Sequence, residues 1–272
     1  MIHLLLLLFM FNAFAVVETV NSFIDSKVLH DASTDTLIVL DIDGTLIYAE
    51  DIFDNPECYK VLMGLIKQGY TKITTPEERE AYQKIISLIF LEPKRYLLEP
   101  EIPELLNSLN SKGVKIIALT SCLNGKYGLL DKVENWRFDN LDGLGINFSN
   151  AFSLAPFYLE GFPEKNHNPP LFDRGILYCY GYSKGDTLKA FLKAISYHPS
   201  RILFADDILA NVEDVHEKLE PIPVDGYHFT GSQLPSERYN PDLIRFQYDY
   251  LIQHHKWLPD VEALKLLNKE PL

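Results

Sequence analysis

Cysteine is scarce in this chain: Cys58, Cys122 and Cys179 are the only three in 272 residues. An odd count permits at most one internal bridge, by any of three pairings, so the fold does not rest on a disulfide scaffold. None of the three has a CxxC spacing or a paired His, so neither a zinc knuckle nor an activated thiol is indicated. Positive charge is also in deficit, with 25 Lys and Arg against 38 Asp and Glu, a formal net charge of −13. Such a chain repels phosphate backbones and anionic lipid, which argues against general nucleic-acid binding. It can still handle a phosphorylated substrate if a cation is fixed in the site. There is no GxxxxGK[ST] loop, Gly143-x-Gly145 lacks the third glycine of a dinucleotide fingerprint, and His216-Glu217 lacks the second His of a zinc-protease helix. Internal repeats and low-complexity tracts are missing too.

The first fifteen residues, Met1–Ala15, contain no Lys, Arg, Asp or Glu, and Leu4–Phe11 is almost purely apolar. Ala13-Phe14-Ala15 supplies the small residues at −3 and −1 that a signal peptidase needs. The n-region departs from the usual pattern in having only His3. A spanning helix is disfavoured, because Ile2–Val17 falls short of the ~20 apolar residues required. The expectation is a signal peptide at 1–15, export to the periplasm or medium, no stable membrane span, and a mature chain of 257 residues.

What is present is core-forming material: 47% hydrophobic and 23% charged residues exclude disorder as the main state. Strand and helix signals alternate, which predicts an α/β fold with a parallel sheet. Thr36–Leu40 (TLIVL), Val114–Leu119 (VKIIAL) and Arg201–Ala205 (RILFA) are the continuous apolar runs of strands buried on both faces. Helices are expected over 101–109, stopped at Gly113, over a segment N-capped by Asp186, and over 208–219. A strand with its turn is expected over 221–229, and helix from Pro241 onward. Two segments interrupt this rhythm. Residues 47–99 contain a helix start at Thr75-Pro76-Glu77-Glu78 followed by a stripe of Ala81, Ile85, Leu88 and Ile89. Residues 123–183 are rich in aromatics, Gly and Pro. The expected organisation is a core of 16–46 and 100–272, a small, mainly helical insertion at 47–99, and a second insertion at 123–183.

The chemistry-bearing residues follow the buried strands. Asp41-Ile42-Asp43-Gly44-Thr45-Leu46 comes directly after the first, where the carboxyl ends of a parallel sheet form a ligand crevice. A second carboxylate pair, Asp206-Asp207, follows another. Four carboxylates at the ends of two neighbouring strands repel unless a cation sits among them. Hard oxygen ligands with room for water suit Mg²⁺.

In this arrangement the chain resembles the haloacid dehalogenase-like (HAD) superfamily, in particular its phosphatases with an N-terminal DxDGT motif. Asp41-x-Asp43-Gly44-Thr45 matches the first family motif, and Thr120 at the end of IIALT the second. Lys184 in Tyr182-Ser183-Lys184-Gly185-Asp186 matches the third, and Asp206-Asp207 with Asn211 the fourth. The resemblance covers roughly 31–50 and 100–232 and implies a Rossmann-like core with a helical cap. It implies a phosphohydrolase of small phosphomonoesters in which Asp41 is the nucleophile and Asp43 the general acid and base. Thr120 and Lys184 would hold the phosphoryl oxygens. Mg²⁺ would be bound by Asp41, the Asp43 backbone carbonyl and Asp207, with Asp206 behind. Two other readings stand beside it: an exported HAD-fold binding or effector protein with little turnover, and a protein phosphatase.

Overall fold

A computed structural model describes residues 17–51, 56–163, 165, 167–232 and 240–268. The expected signal segment therefore lies outside the described residues. The main sheet is built from β1 (Val17–Val20), β2 (Thr36–Leu40), β5 (Lys115–Thr120), β6 (Phe157–Tyr158), β7 (Leu171–Asp173), β8 (Ile176–Tyr178), β9 (Arg201–Asp206) and β10 (Val224–Phe229). Their spatial order is β1-β10-β9-β2-β5-β8-β7-β6. All pairs from β1 to β8 are parallel; β7 and β6 add antiparallel pairs at one edge. The expected α/β class with a mostly parallel sheet is thus the observed one.

β2 lies at the centre, and the period-2 geometry of a strand divides its side chains between two cores. Ile38, Leu40 and Ile42 enter one hydrophobic cluster with Ile116, Ala118, Leu203 and Ala205. Leu37 and Val39 enter the other with Ile117, Leu119, Ile202 and Phe204. The first cluster is covered by α5 (Ile102–Ser111), through Ile102, Leu106 and Leu109. The second is covered by α7 (Lys184–Ala194) and α8 (Leu209–Lys218), through Leu188, Phe191, Val212 and Val215. Each fully buried Leu, Ile or Phe contributes about 1.5–3 kcal/mol relative to exposure, so a sheet with both faces covered is the low-energy place for these apolar runs.

Between β2 and α5 the chain forms a small antiparallel hairpin, β3 (Ile47–Ala49) with β4 (Arg95–Leu97), that brackets α2 (Pro56–Tyr70), α3 (Pro76–Ile86) and α4 (Leu88–Leu91). The capping box at α3 is formed as the sequence predicts: Glu78 N–H donates to Thr75 Oγ1, and Glu78 Oε2 accepts from Thr75 N–H. These helices share a third cluster with the C-terminal helices α9 (Pro241–His254) and α10 (Asp260–Leu267). Cys58, Leu62 and Ile66 meet Leu243, Ile244, Leu251 and Trp257 there. Among the described residues no helix is long and apolar enough to cross a membrane.

Candidate active site

Register brings the acidic residues together. Leu40 of β2 lies opposite Ala205 of β9 and Ala118 of β5, so the residues after them emerge at one level of the sheet's carboxyl end. The Asp41 N–H donates to the Ala205 carbonyl, 2.9 Å, which extends the ladder to the first residue beyond the strand. Carboxylate oxygens of Asp41, Asp206 and Asp207 come within 4.8 Å of one another. Asp41 and Asp206 are buried and Asp207 half-buried.

Lys184 reaches this cluster from a different element. It is the first residue of α7, whose N-cap is Ser183, with Ser183 Oγ accepting from Asp186 N–H at 3.0 Å. The expected cap was Asp186; the shorter serine side chain three residues earlier takes that role, and Asp186 falls in the first turn where a carboxylate suits the dipole. Asp214 of α8 fastens the same turn, accepting from Ser183 Oγ at 2.7 Å and Gly185 N–H at 2.8 Å. From this anchored start the Lys184 ammonium donates to Asp41 Oδ1 at 2.5 Å and Asp206 Oδ2 at 2.6 Å. Burial alone would lower its pKa; the two carboxylates outweigh that and hold it above the usual lysine value.

The three carboxylates are not equivalent. Asp206 is saturated: Oδ1 accepts from Ile208 N–H and Asn211 Nδ2, both 2.9 Å, while Oδ2 takes Lys184. Burial pushes the Asp41 carboxyl well above the usual carboxylate range, Lys184 opposing and Asp206 and Asp207 adding to the rise. Burial, then the charge of Asp206, pushes Asp207 up to about 7. His228 of β10 holds the Asp207 loop by donating from Nε2 to the Asp207 carbonyl at 3.1 Å.

Asp43 stands apart from the triad. Arg137 of α6 (Val133–Gly143) grips both its oxygens, Nη1 to Oδ1 at 3.0 Å and Nη2 to Oδ2 at 2.6 Å. The arginine side chain is 3% exposed and the aspartate 47%. The pairing of Arg137 with Asp43 has no signal in the sequence: the two sit 94 positions apart, and the helix carries no recognisable motif. Thr120 ends β5 and is buried; its Oγ1 accepts from Cys122 N–H at 3.1 Å and its carbonyl from Cys179 N–H at 2.9 Å.

Tyr59 is half-exposed and within electrostatic reach of Asp43 and Tyr180. Tyr82 is instead structural, donating to the Ile66 carbonyl at 3.0 Å and meeting the Tyr248 hydroxyl at 2.9 Å. Tyr96 is tied to Glu50 at 3.2 Å, and Arg79 lies over the Tyr70 ring.

Counted as ionised groups, the four carboxylates face two buried cations, Lys184 and Arg137, a formal excess of two negative charges. The Asp41, Asp206 and Asp207 group could hold a metal ion, and a divalent ion would complete the balance. The sequence matches, over residues 16–264, the family described as "Protein of unknown function (DUF2608)". The chain belongs to this family. An uncharacterised protein of Rickettsia prowazekii (strain Madrid E) is 24% identical over 255 residues, spanning 92% of this chain and 90% of that protein. An uncharacterised Rickettsia felis protein is 22% identical over 187 residues, 65% of this chain and 64% of its own length. The DUF2608 chain described here thus combines an α/β sheet with an acidic group at the carboxyl ends of two adjacent strands.

Proposed function

We propose that this protein is a Mg²⁺-dependent phosphohydrolase of the HAD type, acting on a small phosphomonoester. The observation that carries this reading is the Lys184 ammonium held between Asp41 and Asp206, with Asp207 beside them. That arrangement draws three distant chain segments to one crevice at the carboxyl ends of the strands. Hard oxygen donors favour Mg²⁺ over softer metals. Asp41 and Asp207 would hold the ion, Asp206 being already saturated by protein donors. The ion would supply charge neutralisation where an anionic nucleophile meets an anionic phosphate.

The chain's own residues supply the rest. Asp41 attacks phosphorus in line, forming a P–O bond to its carboxylate as the bond to the leaving oxygen breaks. Lys184 fixes the Asp41 carboxylate and, with Thr120, holds the phosphoryl oxygens. Asp43, half-exposed and paired with Arg137, takes up a proton from solvent and gives it to the departing oxygen. It then takes one back from the water that attacks the aspartyl phosphate and releases inorganic phosphate. Asp41→Asn should abolish Mg²⁺-dependent hydrolysis of an aryl phosphate, and Asp43→Asn should slow it by about 10²–10⁴-fold. Wild-type protein inert toward a phosphometabolite panel with Mg²⁺, or a fully active Asp41→Asn variant, would sink the reading.

Export belongs to the same proposal. The family match begins at residue 16, directly after the Ala13-Phe14-Ala15 segment. Amino-terminal sequencing of exported material should begin at Val16; material beginning at Met1 would refute cleavage.

A further inference from the structure

We propose that Tyr59 and Tyr180 form a stacking subsite for an aromatic leaving group, so that the substrate is a phosphomonoester carrying a flat ring near its ester oxygen. This rests on the phosphohydrolase reading above, in which Asp41, Lys184 and Thr120 take the phosphoryl group and Asp43 meets the departing oxygen. Side chains around Asp43 therefore face the leaving group. The Tyr59 phenol, on α2 of the 47–99 insertion, is within electrostatic reach of Asp43, Cys122 and Tyr180. Tyr180 comes from the sheet. Tyr178 of β8 lies opposite Thr120 of β5, and the Cys179 N–H donates to the Thr120 carbonyl at 2.9 Å. Tyr180 is the next residue, at the carboxyl end of the strands where the crevice opens.

The fold itself makes little use of either ring. Tyr59 is 50% exposed and Tyr180 41%. A structural tyrosine packs its ring and gives its hydroxyl a partner. Tyr70 and Tyr127 do so with each other at 3.2 Å, Tyr82 with the Ile66 carbonyl and Tyr182 with the Pro163 carbonyl. The hydroxyls of Tyr59 and Tyr180 have no hydrogen-bond partner among the described residues. Their supports are nevertheless firm. Cys58 and Leu62 bury the neighbouring face of α2 against Leu243 and Leu251 of α9, and Met63 continues the exposed face one turn after Tyr59. The Tyr180 ring is braced edge-on by His167, with centroids 5.0 Å apart. That approach needs Gly181, whose φ is +73° and where a Cβ would lie 2.5 Å from His167 Nε2. Two exposed rings on fixed supports bind a planar group without the entropy cost of ordering a loop.

Two pairs of esters test this, each differing in the ring while the leaving oxygen stays that of a primary alcohol. They are benzyl phosphate against cyclohexylmethyl phosphate, and adenosine 5′-monophosphate against ribose 5-phosphate. Full-length wild type, Tyr59→Leu, Tyr180→Leu and the double variant are assayed with Mg²⁺, and Tm is measured for each. Wild type should favour the aromatic member of a pair roughly tenfold in kcat/KM, the worth of a well-placed aromatic contact. Each single variant should narrow that ratio and the double variant should bring it near one. Tyr59→Phe and Tyr180→Phe, which keep the ring, should preserve it. A preference in the first pair alone identifies the ring as a small aryl group, and in the second alone as a nucleobase. Wild type without preference in either pair, or a preference that survives in the double variant, overturns the subsite and leaves the phosphohydrolase reading intact. A wild type inactive on all four esters removes both.

Discussion

At Gly44 the backbone has φ of +80°, and a Cβ placed there would lie 2.6 Å from Asp207 Oδ2. The glycine is therefore required twice, by the turn and by the carboxylate pressed against it. Gly44→Ala should strain the turn by about 1–3 kcal/mol and displace Asp207. The expected result is a fall in Mg²⁺-dependent turnover larger than the modest loss of Tm would explain; unchanged turnover would show that Asp207 has freedom to move. Aspartates at strand ends were legible in the sequence because a buried apolar run followed at once by a carboxylate is costly unless the carboxylate is in a crevice. Lys184 was legible by its place in a familiar order of motifs. Arg137 was not, since an ion pair across 94 positions leaves no local pattern. Ser183 and Asp186 are both good caps in sequence, and only the backbone decides between them.

Among the elements, β2, β5 and β9 were readable from continuous hydrophobic runs, and α3 from its capping box. The hairpin β3–β4 and the short strands β6, β7 and β8 were not, because two or three residues carry too little period to register. The docking of α9 and α10 onto α2 was equally hidden, being a matter of tertiary packing. Leu251→Ala, at a fully buried position in that contact, should cost about 2–5 kcal/mol. It should also raise alkylation of Cys58, which lies in the same cluster; an unreactive Cys58 in a destabilised variant would argue against the contact. Asp51 joins the end of the hairpin to the same helices, accepting from the Trp257 indole at 2.6 Å and the Asp260 N–H at 3.3 Å. Burial holds its carboxyl above the usual 3.8, with the Trp257 bond opposing. A raised folded pKa contributes stability that is full below 3.8 and is lost as pH rises through the folded value. Asp51→Asn keeps an acceptor and cannot ionise, so its Tm should gain on that of wild type as pH rises above 3.8. A difference that stays constant with pH would remove the argument.

Across the molecule the charge of −13 is not spread evenly in its effects, because the site concentrates four carboxylates against two cations. A ligand bound only by the folded state stabilises it by mass action, about 2.7 kcal/mol at a hundredfold excess over Kd. Mg²⁺ should therefore raise the Tm of wild type, chelator should reverse the rise, and Asp207→Asn should blunt it. An identical response in the variant would place the ion elsewhere. The helices of 56–91 are early in the chain, yet the surface that covers their apolar side is made by α9 and α10, close to its other end. During synthesis the sheet's strands are complete by Phe229, while those early helices still wait, uncovered, for residues up to 267. A ribosome stalled after the last strand would thus present a nearly finished sheet bearing a sticky, half-clothed appendage.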